Sequence, residues 1–179
     1  VVGLLALIAN GARQSAGGDF QLTVYQGEEV LGGQEIAFSE VFNQGKPVVL
    51  NFWAGLCPPC RAEMPGFQRV HEELGDDFIL LGLDVGPFMN LGSNRDARTL
   101  LEKLNITYPT ARAHNRTPVV QFGVFSMPTT IFFTPDKQIF RTWEGFLDQG
   151  RMSSFVQELI DASKTAATSG GPAITGTQG

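Results

Sequence analysis

The run Pro47-Val48-Val49-Leu50-Asn51-Phe52-Trp53-Ala54-Gly55-Leu56-Cys57-Pro58-Pro59-Cys60-Arg61 decides how this chain reads. Its first seven residues are almost continuously apolar, the pattern of a central strand buried on both faces. The strand then delivers two cysteines, the only two in 179 residues. With no third cysteine to compete, the pair allows one internal disulfide closing a very short loop. A loop that short adds little stability through chain entropy. A disulfide here therefore points to reactivity more than to structural reinforcement.

The residues after the cysteines are helical in pattern, with Met64, Phe67, Val70 and Leu74 on one face and Pro65 expected to kink the helix. Cys57 thus falls at a strand-to-helix junction. Unpaired backbone N–H groups and the helix dipole favour a thiolate there. Pro58 and Pro59 suit the first turn, where a missing N–H costs little. The expected consequence is a lowered thiol pKa and attack by Cys57 on a partner disulfide. Cys60, one turn on and more buried, would then attack the mixed disulfide and release the partner.

Outward from this run, residues 20–25 alternate as a strand, in an N-terminal hairpin, and residues 78–85 read as a second buried strand. Ser93 is a helix N-cap with Asp96 in the first turn, followed by an apolar stripe of Ala97, Leu100, Leu101 and Leu104. Thr117-Pro118 opens a short helical piece reaching Phe122. Residues 129–133 and 138–143 are strands joined by the turn Thr134-Pro135-Asp136-Lys137. Residues 148–162 form a closing helix with Met152, Phe155, Val156, Leu159 and Ile160 at helical spacing. This order implies an α/β fold with helices on both faces of a mixed sheet.

Composition sets the outer limits. The chain is 42% hydrophobic and 17% charged, which suits one globular domain with a substantial core. A formal net charge of -5 argues against a nucleic-acid partner or an anionic membrane surface. Of the 14 phenylalanines, several line up in the expected strands, which reads as core packing. The first nine residues are apolar but too short for a bilayer, which needs ~20. They read as the end of a signal peptide or membrane anchor, because a linker runs from Asn10 to Gly18; the competing reading is an apolar terminus packed on the domain. The expected organisation is residues 1–18 as anchor remnant and linker, 19–163 as the folded domain, and 164–179 as a disordered tail. The domain is then expected outside the cytoplasm, as a monomer without cofactor.

Together, Val49-Leu50-Asn51-Phe52-Trp53-Ala54, Cys57-Pro58-Pro59-Cys60-Arg61-Ala62-Glu63-Met64-Pro65 and Gly123-Val124-Phe125-Ser126-Met127-Pro128-Thr129-Thr130-Ile131-Phe132-Phe133 resemble the thioredoxin fold. More narrowly, they resemble the TlpA/ResA-like extracytoplasmic thiol-disulfide oxidoreductases. The resemblance covers residues 19–163. It implies that Pro128 is cis and faces the cysteines, leaving the backbone at Met127 free to pair with an extended partner peptide. It also implies that Trp53 packs beneath the active-site loop. Glu63 matches a glutamate common in the motif and reads here as a helix-surface or capping charge more than a catalytic acid. Arg61 reads as a solvated charge near the thiolate.

The chain departs from the family at informative places. Many thioredoxins carry a buried Asp where this chain has Asn51, which cannot act as a general base. The TlpA/ResA branch often has Asn there, but also a Glu after the next strand, where this chain has Pro87. The nearest acid is Asp84, an acid/base candidate or simply a strand-end residue. Leu56 replaces a common Trp and makes the approach surface flatter and more apolar. Residues 86–92 look like a flexible extra stretch carrying Phe88 and Met89, as a partner loop or a longer connection. His71 and His114, the only histidines, read as surface residues, not metal ligands.

These readings favour a reductase of protein disulfides, recharged by a membrane electron carrier or another thioredoxin-like protein. Family resemblance suggests apocytochrome c, and hence cytochrome c maturation, or a copper-site assembly factor as substrate. Two alternatives stay open: a disulfide-forming oxidase, since direction depends on reduction potential, and a non-enzymatic Cu(I)-binding module using Cys57 and Cys60. A peroxidase is the weakest reading.

Overall fold

The computed structural model describes residues 18–169, so the expectations for residues 1–17 and 170–179 lie outside the described residues. Seven strands form one mixed sheet: β1 (Gln21–Gln26), β2 (Glu35–Ala37), β3 (Val48–Trp53), β4 (Ile79–Asp84), β5 (Thr110–Ala113), β6 (Thr129–Phe133) and β7 (Ile139–Glu144). Their spatial order is β2-β1-β5-β4-β3-β6-β7. The centre, β5-β4-β3, is parallel, and the flanking pairs are antiparallel. Every residue of β3, β4 and β6 is buried, which is why these segments read as unbroken apolar runs.

Helices cover both faces. On one lie α2 (Pro58–Leu74), α4 (Asn94–Leu104) and α6 (Gln149–Ser169). On the other lie the short α1 (Glu28–Leu31), a 3-10 turn (Phe38–Phe42) and α5 (Thr117–Gln121). The second face is largely aromatic: Phe38 stacks on Phe20, and edge contacts join Phe38, Phe42, Phe122, Phe133 and Phe52. These phenylalanines are thus core packing.

Local signals explain the boundaries. Ser93 and Asp96 form a reciprocal capping box at the start of α4, with Ser93 N–H donating to Asp96 Oδ2 at 2.7 Å. Asp148 caps α6, its carboxylate accepting from Arg151 N–H at 3.0 Å. α2 continues through Pro65 to Leu74 with Met64, Phe67 and Val70 buried against the sheet. α6 runs to Ser169, past the expected boundary at Ser163. Ser163, Thr165 and Thr168 hydroxyls donate to carbonyls a turn earlier, so a polar, small-residue segment remains helical there. No helix among the described residues is long and apolar enough to cross a membrane.

Two elements differ from the sequence reading. β5 has no counterpart among the strands read from the sequence; its short Thr-Ala-Arg-Ala run has weak strand character but is fixed between β4 and β1. Residues 86–92, expected as a flexible stretch, contain α3 (Gly86–Met89) and fold back on the cysteine loop, with Leu56 N–H donating to Leu91 C=O at 2.8 Å. Phe88 and Met89 pack partly against the aromatic face.

Candidate active site

β3 ends at Trp53, and the chain turns through Ala54, Gly55 and Leu56 to Cys57, the N-cap of α2. Gly55 is required by close packing: a Cβ there would lie 2.5 Å from Ala97 N and from Asp96 C, at the start of α4. Gly55→Ala is expected to push the cysteine loop off α4 and to destabilise the fold by about 1–3 kcal/mol. Chemical denaturation of the oxidised protein measures this; unchanged stability would mean the loop yields freely.

Cys57 and Cys60 are joined in a disulfide, with Cα atoms 5.3 Å apart. Both cysteines are buried, Cys57 at 3% exposure and Cys60 at 0%. The two prolines have a direct electrostatic consequence. Pro58 and Pro59 carry no N–H, so the first donor of α2 is Cys60 N–H, and it points at Cys57 Sγ at 3.3 Å. A thiolate at Cys57 would meet that donor together with the positive end of the helix dipole.

Trp53 is fully buried in the cluster that holds both cysteines. Thr129 pairs with Phe52 in the β3–β6 register, which brings the preceding Pro128 to the cysteine end of β3. The Met127-Pro128 peptide is cis. Pro128 is buried, and Met127 packs partly against the same cluster as the cysteines. No backbone hydrogen bond involves Met127 among the described residues. Gly145 N–H donates to Pro128 C=O at 2.8 Å, which brings the β7–α6 loop to the site. Three loops at this end of the sheet carry exposed apolar side chains: Leu56 next to Cys57, Phe125 shortly before Pro128 and Phe146 next to Gly145, with Phe125 91% exposed. Arg61, Pro58 and Pro59 are exposed.

Glu63 overturns the expectation of a surface charge. It is 1% exposed, on the buried face of α2 one turn past Cys60. One oxygen accepts from Asn51 Nδ2 at 2.8 Å and the other from Leu147 N–H at 3.0 Å. Burial pushes its pKa up to about 8, only partly offset by these two hydrogen bonds. Asn51, which also donates to Thr130 Oγ1 at 3.1 Å, holds the carboxyl in place. The signal was in the spacing: residues 60, 63, 64, 67 and 70 share one helical face.

Asp84 ends β4 beside Trp53 in the parallel register. Its Oδ2 accepts from Tyr25 OH at 2.9 Å and its Oδ1 from Gly86 N–H at 2.9 Å. Burial raises its pKa. Both oxygens are thus engaged in fixing the strand end, and no hydrogen bond joins Asp84 to a cysteine among the described residues. His114 bonds Thr23 and Glu35 at the distant hairpin. His71, expected at the surface, is half-buried against Tyr108, and burial lowers its pKa. Among the described residues no group of three or more His, Cys, Asp or Glu side chains is placed to hold a metal.

A thioredoxin-like sheet with a Cys-x-x-Cys disulfide at the start of α2 defines a protein thiol-disulfide oxidoreductase. The AhpC/TSA family model matches residues 14–141, and the chain belongs to that family. Its relatives include the thiol-disulfide oxidoreductase ResA of Oceanobacillus iheyensis, 29% identical over 144 residues, covering 79% of this chain and 69% of that protein. Among solved structures, the exposed lipoprotein thioredoxin of Streptococcus pneumoniae is 25% identical with a TM-score of 0.65, covering 79% of this chain and 100% of that one. StoA from Bacillus subtilis shares the fold at 18% identity and a TM-score of 0.63, covering 77% and 96%. Within the family this chain is an oxidoreductase of the ResA/StoA type.

Proposed function

We propose that this protein reduces disulfides in protein partners outside the cytoplasm, with Cys57 as nucleophile and Cys60 as resolving thiol. The observation that carries this reading is Cys60 N–H pointing at Cys57 Sγ from the start of α2. In the reduced protein the Cys57 thiolate attacks one sulfur of a partner disulfide, and the partner's other sulfur leaves as thiolate. Cys60 gives up its proton to Glu63 and attacks Cys57 Sγ. The Cys57–Cys60 disulfide forms, and the partner departs reduced by two electrons.

Glu63 is a better proton acceptor than Asp84, because it lies one turn from Cys60 and its pKa near 8 is close to that of an ordinary thiol. Met127 and Pro128 would receive the partner backbone. Leu56, Phe125 and Phe146 would favour a partner whose cystine is flanked by bulky apolar side chains. The pneumococcal neighbour is an exposed lipoprotein thioredoxin, which supports an extracytoplasmic setting, as does the apolar character of residues 1–9. Residues 1–18 would then be the remnant of a signal segment or membrane anchor and its linker.

Equilibration of Cys57–Cys60 against glutathione or dithiothreitol tests the direction. The potential is expected to lie below that of the disulfides the protein reduces, by about 30 mV for each tenfold of driving equilibrium. A potential well above that of protein thiols in the same compartment would instead make the protein an oxidase.

A further inference from the structure

A band of polar groups crosses the sheet beneath α2. The registers align Thr130 of β6, Asn51 of β3, Gly82 of β4, Thr110 of β5 and Gln26 of β1 in one row. Four buried side-chain atoms around this row have no hydrogen-bond partner among the described residues: Asn51 Oδ1, Trp53 Nε1, Tyr108 OH and Thr110 Oγ1. All four residues are 0% exposed. Three of these residues border Gly82, where a Cβ would lie 3.0 Å from Trp53 Nε1, 3.0 Å from the Thr110 methyl carbon Cγ2 and 3.2 Å from the Tyr108 ring carbon Cε2. Asn51, the fourth, pairs with Gly82 and holds Glu63.

Buried polar groups are rarely left unpaired, and clusters of them characteristically share internal water. Here the donors and acceptors are complementary: Trp53 Nε1 only donates, Asn51 Oδ1 only accepts, and the two hydroxyls do both. We infer that Trp53, Tyr108 and Thr110 bind internal water that continues the hydrogen-bonding of Glu63, making Tyr108 a positioning residue for the proton that Cys60 releases. This rests on the proposed role of Glu63. The charge of Glu63 is felt at the Tyr108 hydroxyl, whose pKa is raised by burial first and by Glu63 second.

Among the described residues Glu63 meets Asn51 from the sheet, itself bonded to Thr130, and Leu147 N–H from the loop before α6, and its field reaches Tyr108 in the segment before β5. Water held among Asn51, Trp53, Tyr108 and Thr110 would stabilise the carboxylate form and give its proton a mobile neighbour. On resolution the Cys60 proton passes to Glu63 and the S–S bond to Cys57 forms as the partner thiolate leaves; Glu63 then releases the proton, relayed by this water, to bulk solvent.

The test is single-turnover resolution of a Cys57 mixed disulfide as a function of pH, in wild type, Tyr108→Phe, Thr110→Val and Glu63→Gln, with a high-resolution crystal structure of wild type. The expected results are water on Tyr108 OH and Trp53 Nε1, a roughly tenfold slower resolution at neutral pH in Tyr108→Phe, and a pH profile moved upward by about one unit. Thr110→Val moves it in the same direction. Tyr108→Phe placed on Glu63→Gln has no further effect. A dry site, an unmoved profile in both single variants, or an undiminished effect of Tyr108→Phe on the Glu63→Gln background overturns the inference. If Glu63→Gln itself leaves the profile unchanged, the role of Glu63 fails and the water is structural only.

Discussion

Cys57→Ser is expected to lower disulfide reduction to below about one-thousandth of the wild-type rate, a loss of ~4 kcal/mol of transition-state stabilisation. The reason lies at the start of α2. Serine fits the N-cap and can accept the Cys60 N–H bond, so the helix should remain intact. What disappears is a sulfur able to ionise near neutral pH and to exchange with a disulfide. Cys60→Ser separates the two half-reactions: attack proceeds, resolution does not, and partners accumulate as mixed disulfides on Cys57. Mass spectrometry of these adducts identifies the partner, and its sequence around the captured cysteine tests the preference for bulky apolar neighbours. Full activity in Cys57→Ser would remove the nucleophile from the scheme. Accumulation of adducts on Cys60 in that variant would reverse the two roles.

The legible parts of the site were those written in the local chain. A buried strand, two prolines after a cysteine and an apolar stripe on a helix predict the junction at Cys57 from sequence alone. Ser93 and Asp96 likewise mark their helix start through a capping box four residues long. Harder to read were features made by distant packing. β5 has little intrinsic strand character and exists because β1 and β4 pair with it. Residues 86–92 contain glycines and a proline that suggest looseness, yet Leu91 C=O binds Leu56 N–H and turns the segment into a wall of the site. Tyr108 and Thr110 carry no motif; only the sheet register brings them beside Trp53. Glu63 was misread for a chemical reason. A glutamate in a helix is normally solvated, and its burial depends on two donors, Asn51 and Leu147 N–H, the second of them remote in sequence.

That burial makes the stability of the protein depend on pH in an unusual sense for a carboxylic acid. Glu63 titrates at about 8 in the folded protein against a reference of 4.5. Below about pH 4.5 it is protonated in both states and contributes no pH dependence. Between these values the native state keeps a proton that the unfolded chain has lost, so stability falls as pH rises. The slope approaches ~1.4 kcal/mol per pH unit and ends near pH 8, a total of roughly 5 kcal/mol. Glu63→Gln should remove this fall. The glutamine oxygen can still accept from Leu147 N–H, and rotation of the Asn51 amide presents Oδ1, unpaired in the wild-type site, to the new NH₂ group. The variant is therefore expected to be more stable than wild type at pH 8 and of similar stability at pH 4.5, while resolving mixed disulfides more slowly at neutral pH. Urea denaturation of the oxidised protein across pH 4.5–8.5 decides the matter. Parallel stability curves for the two proteins would show that Glu63 ionises in the native fold as freely as in the unfolded chain, and a base with so ordinary a pKa would be poorly matched to a thiol. Diverging curves would mean that the same desolvation that destabilises the fold at high pH keeps an acceptor near pH 8 one helical turn from Cys60.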